Sequence, residues 1–161
     1  MTGHGGRERE WVREAMTMAL YISLSLLAVL VALPADRAST GTAAAVTIVA
    51  TALGLALAHH VAFRLSSRLV DKGLVTAESL HLLGAQMVGA GSVAVVAALP
   101  PLLVGGETGR VLSEVLLLVF IAGVGYRAAR QSFGPGRSIL YVGGLVVMVG
   151  IVVAVKGAVG H

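Results

Sequence analysis

Apolar residues in this chain gather into five long runs separated by short polar stretches, instead of alternating with polar ones as in half-buried elements. The runs cover about residues 15–33, 41–63, 82–104, 111–126 and 138–155. About 20 residues rising 1.5 Å each cross a hydrocarbon core of about 30 Å, so runs of this length predict membrane-spanning helices. The expected fold class is therefore all-α, a polytopic membrane protein with five transmembrane helices. Residues 1–14 form a charged cytoplasmic segment, 15–157 a single five-helix domain and 158–161 a short external tail. Pro34 ends the first run, and Pro100-Pro101 is expected to bend or end the third before an outer loop GGETGR at 105–110.

Composition sharpens this picture. With 57% hydrophobic and 12% charged residues, a 161-residue chain has more apolar surface than a soluble domain of that size can hide. There is no cysteine, which excludes disulfides and thiolate metal sites. A cleaved signal peptide is the competing account of the first run. Its apolar core is too long, three acids precede it, and no small-x-small cleavage site follows.

Loop charge sets the expected orientation. Nine basic residues (Arg7, Arg9, Arg13, Arg64, Arg68, Lys72, Arg127, Arg130, Arg137) fall on one side and three (Arg37, Arg110, Lys156) on the other. The positive-inside rule places the N-terminus in the cytoplasm and the C-terminus outside, and Trp11, Phe63, Tyr126, Phe133 and Tyr141 make an aromatic belt on the same inner side. The excess of Arg over Lys and the Ala, Gly and Val bias suggest a bacterial cytoplasmic membrane. No stacking aromatics interleave the arginines, so nucleic acid is not an expected partner.

Small residues mark expected packing faces at Ala50, Gly54 and Ala58, at Gly84, Ala85, Gly89, Ala90 and Gly91, and at Gly143, Gly144 and Gly150. Such faces also suit association with copies of the chain or with a partner membrane protein. Thr17, Tyr21 and Ser25 recur every four residues, and hydroxyls there are expected to bond their own helix backbone.

Candidate chemistry is sparse. The cores of the five runs hold no Asp, Glu, Lys or Arg, whereas enzymes working in membranes carry paired acids, a nucleophile beside a base, or a metal motif there. No enzymatic activity is expected. His59 and His60 end the second run, and Glu78 and His81 share a face at the start of the third; this set has the residue types of a divalent-metal shell, the one cofactor the sequence allows. Arg64 and Arg68 lie on the His60 face and would repel a cation, so an interfacial cluster in which Glu78 balances an arginine explains the same residues. A histidine sensing pH is a third account. Glu114 lies one turn into the fourth run with Arg110 four residues earlier, an arrangement suited to a salt bridge. Facing a cavity instead, Glu114 would serve with Gln86, the one amide within the spans, as an ion path.

The outline of five spans with the N-terminus inside is similar to the vacuolar iron transporters. The carboxylate that family carries in its first span and its acid- and Met-rich insert after the second are absent, so its function is not carried over. Two readings follow. One is a small oligomeric channel or carrier for protons or cations. The other is a non-transporting subunit or scaffold that binds a partner protein or anionic lipid through Arg64, Arg68, Arg127 and Arg130.

Overall fold

The computed structural model describes residues 4–33, 40–70, 77–132 and 135–159. They form five helices: α1 (His4–Ala32), α2 (Gly41–Val70), α3 (Ala77–Val104), α4 (Gly106–Ser132) and α5 (Pro135–Val159). Four contain stretches long and apolar enough to cross a membrane, at Gly5–Ala32, Gly41–Ser66, Leu80–Val104 and Gly106–Gln131, while the apolar part of α5, Gly136–Ile151, is shorter. The helices run beyond the apolar runs that predict them. Arg, Glu and Gln are good helix formers, so the chain stays helical after it turns polar, and the charged segment expected at 1–14 is the opening of α1 from His4 onward.

The outer loop expected at 105–110 is not a loop. Helix α3 continues through Pro100 and Pro101 to Val104, and α4 begins at Gly106. Gly105 and Gly106 adopt φ of +74° and +52°, a left-handed backbone that glycine enters without a Cβ penalty. The Gly105 N–H donates to the Pro101 carbonyl at 3.0 Å, closing α3, and the chain reverses at once.

The proline pair creates a need that α4 meets. Pro101 has no N–H, so the Ala97 carbonyl four residues earlier loses its helical donor. The fully buried Ser113 hydroxyl of α4 donates to that carbonyl at 2.7 Å and also lies 3.1 Å from the Gly109 carbonyl of its own helix. Ser113→Ala is expected to cost about 1–3 kcal/mol, the penalty of a stranded buried carbonyl, measured as a lower unfolding midpoint in mixed micelles.

Helices α1 and α3 form the centre, with α2 against α3, α4 against both, and α5 against α4 and α1. From α1 come large side chains every fourth residue, Met18, Ile22, Leu26 and Leu30; α2 and α3 answer with mostly small ones, Ala45, Ile48, Ala52, Ala56, Ala90, Val93, Ala94 and Ala97. Lipid tails are as apolar as leucine, so fit, not escape from water, must hold such a bundle in a membrane. The fit is close where α3 meets both neighbours: a Cβ on Gly89 would collide with the backbone carbonyl of Ala15 in α1, and one on Gly41 of α2 with that of Pro101.

Other expected packing faces point elsewhere. Ala50, Gly54 and Ala58 are exposed on α2, as are Gly84 and Gly91 on α3, and the space beside Gly143, Gly144 and Gly150 of α5 is open. Small residues line both sides of α2, so spacing alone does not choose between them; the Ala45–Ala56 side is the one buried in the bundle. Thr17, Ser23, Thr47 and Ser66 each donate to the carbonyl four residues earlier in their own helix, which satisfies these hydroxyls without a partner on another helix.

Candidate functional site

Polar side chains collect at the two ends of the bundle. At the end carrying the start of α1, the finish of α2 and the start of α3, three helices are joined through Gln86, which is 8% exposed. Its amide nitrogen donates to Glu14 Oε2 of α1 at 2.9 Å, and its carbonyl oxygen lies 3.1 Å from His59 Nε2 of α2. The carboxylate can only accept, so the amide NH2 must face Glu14 and the amide oxygen must face the ring. His59 Nε2 therefore carries the hydrogen. The other Glu14 oxygen lies 3.6 Å from Arg13, which also reaches Glu10 at 3.4 Å on the exposed surface.

The sequence marks His59 and Gln86 but not the third member, Glu14, which belongs to the charged opening segment. The available signal was the amide itself. Gln86 within an apolar helix needs partners on neighbouring helices, and Glu14 and His59 are polar residues at matching depth. Gln86→Leu removes the bridge and leaves Glu14 and His59 facing an apolar side chain. Its expected cost is about 1–2 kcal/mol, in the upper range for interhelical hydrogen bonds in membranes, read from the shift in unfolding midpoint.

The remaining members of the histidine group sit apart from this bridge. His60 is half-buried and His81 exposed. The side chain of Glu78 lies outside the described residues. Among the described residues no three His, Asp or Glu side chains converge in a way that could hold a metal ion.

At the far end the organising group is Arg110 in the first turns of α4. Its guanidinium bonds Glu107 three residues before and Glu114 four residues after, and donates to the Leu30 carbonyl of α1 at 2.8 Å. A cation placed on the last carbonyls of α1 also complements the negative end of that helix. The side chains of Arg110 and Glu114 are 14% and 19% exposed, and that of Glu107 54%. The salt bridge expected between Arg110 and Glu114 is thus present, with a third member and a backbone anchor that spacing alone did not reveal.

Between the two ends the interior is apolar and closed. Ile22, Leu26 and Ile48 have no exposure, and Ala52, Ala90 and Ala94 have less than a tenth. Two cavities, of about 480 Å³ and 290 Å³, are grooves on the flanks of the bundle lined almost wholly by apolar side chains, and neither includes Glu114, His59 or Gln86. Arg64, Arg68, Arg127 and Arg130 are exposed at the end that carries Gln86, and among the described residues none is paired with an acid.

Comparison with protein-family models, with curated proteins and with solved structures finds no match. The class that the fold defines is coarser: an all-helical chain whose long apolar helices suit an integral, multi-pass membrane protein.

Proposed function

We propose that this chain crosses a bacterial cytoplasmic membrane five times, N-terminus inside and C-terminus outside, and serves as a non-catalytic, non-conducting subunit or scaffold. Its basic inner face, with Arg64, Arg68, Arg127 and Arg130, engages anionic lipid or the acidic surface of a partner. The observation that carries this reading is the separation of the two polar clusters by close-packed apolar side chains, with each cluster satisfied by its own neighbours. A proton or cation path would need polar groups or water linking Glu114 to Gln86. Ile22, Leu26 and Ile48 occupy that interval instead. Arginines at one end, without an acid partner among the described residues, supply the attraction, about 1 kcal/mol for each near an anionic surface.

Reconstitution into liposomes tests the proposal. Flux of protons, monovalent cations and divalent cations equal to that of empty vesicles is expected, together with salt-sensitive retention of anionic over zwitterionic lipid. Flux above empty vesicles that falls on Glu114→Gln would overturn it in favour of a channel or carrier.

A further inference from the structure

We propose that the reversal from α4 to α5, with Arg127, Arg130 and Arg137, is where this chain selects an anionic phospholipid of the inner leaflet. This rests on the basic inner face of the proposed function and narrows it twice: the ligand is a lipid headgroup, not an acidic protein, and the arginines of α2 are not its site. Only residues 133 and 134 separate α4 from α5, and the two helices pack against each other. Arg130 stands two residues before the end of α4 and Arg137 two residues after the start of α5, so each lies about 3 Å from the reversal along its helix. Arg127 shares a face with Arg130, about one turn deeper. All three are exposed, and among the described residues none of them bonds an acid.

Nothing nearby neutralises this group. Residues 115–161 contain no Asp or Glu, so the three arginines keep a charge of +3. Helix α1 brings Glu8, Glu10 and Glu14 to the same end, but matches them three for three with Arg7, Arg9 and Arg13, and Arg13 lies 3.4 Å from Glu10 and 3.6 Å from Glu14. On the α2 and α3 side the sequence sets Arg64, Arg68 and Lys72 against Asp71 and Glu78, three against two. Neither neighbour has negative charge to spare. Arg64 and Arg68 have acids close by in the chain, whereas the α4 and α5 arginines have none.

Depth identifies the occupant. Tyr126 lies four residues deeper along α4 than Arg130, and Tyr141 four residues deeper along α5 than Arg137; the tyrosines are 42% and 50% exposed. Ile139 and Leu140, beside Tyr141, are 65% and 79% exposed, an apolar surface suited to acyl chains. Tyrosine favours the headgroup boundary, so an arginine about 6 Å further out stands level with lipid phosphates. The long side chain of Arg127 reaches the same level from one turn deeper. A phosphodiester offers the negative charge and acceptor oxygens that guanidinium groups bind, and the bilayer already holds phosphodiesters at this depth around the helix ends. An acidic protein would have to displace them.

The test uses the full chain reconstituted in nanodiscs of phosphatidylglycerol and phosphatidylethanolamine in equal parts, extracted in mild detergent and weighed by native mass spectrometry. Phosphatidylglycerol is expected to be retained in preference to phosphatidylethanolamine. Arg127→Gln, Arg130→Gln and Arg137→Gln should each lower that preference about fivefold, and the triple variant should retain the two lipids equally. Arg64→Gln combined with Arg68→Gln should leave the preference within about twofold of the wild type. Equal retention by the wild type would overturn the inference and leave an acidic protein as the partner of the basic face. A loss from the α2 pair as large as that from the triple variant would overturn it as well. Failure here is distinguishable from failure of the proposed function: ion flux with this selection intact defeats the latter alone, and selection that follows Arg64 and Arg68, without flux, defeats the α4 and α5 site alone.

Discussion

Gly89→Leu is expected to separate α3 from α1 and cost about 3 kcal/mol or more, beyond what is common for an overpacked site. A Cβ at Gly89 meets the Ala15 carbonyl, which is backbone on a helix packed on several sides and cannot swing aside as a side chain would. Helix propensity works the other way, since replacing glycine gains up to about 1 kcal/mol, so the predicted loss is a net figure. Gly91 supplies the control. It lies two residues along the same helix, exposed, with open space where its Cβ would stand. Gly91→Leu should therefore leave the unfolding midpoint unchanged or raise it slightly. Equal losses at both positions would show that Gly89 matters through something other than close approach.

Arg110→Leu is the second large loss. It removes the only described cation bonded to Glu114, whose side chain is 19% exposed, and one of two donors on the Leu30 carbonyl, the Leu33 N–H remaining. Stranding a carboxylate whose partner has been removed costs about 3–5 kcal/mol at full burial, and about 2–4 kcal/mol is expected here because water still reaches part of the group. The pair Arg110→Leu with Glu114→Leu should recover most of the loss, since an apolar pair of similar volume needs no compensation. A double variant no more stable than Arg110→Leu would mean that the Leu30 contact carries the effect instead.

The sequence exposed some layers of this molecule and hid others for identifiable reasons. Long apolar runs marked the helices because lipid demands them, and the Arg110–Glu114 bridge was legible because both partners sit on one helix, four residues apart. Residues that meet across helices were harder to see. Glu14 and Gln86 are 72 positions apart, and Ser113 answers a carbonyl on another helix that Pro101 has left bare. The proline was in plain view, so the need for a donor was legible even though its source was not. Small-residue spacing misjudged α2, where Ala50, Gly54 and Ala58 are as regular as the buried Ala45, Ala52 and Ala56. Helix α2 packs chiefly on α3, which in turn packs on the central α1, and spacing along one helix displays neither contact.

Sidedness tests the membrane account most directly, and the absence of native cysteine makes the measurement clean. Single cysteines replace Thr108, exposed beside the α3–α4 reversal, and Leu69, 85% exposed near the end of α2. With a membrane-impermeant maleimide on intact cells, the account predicts labelling at 108 at once and at 69 only after lysis. Labelling at 69 in intact cells, with 108 protected until lysis, would contradict it.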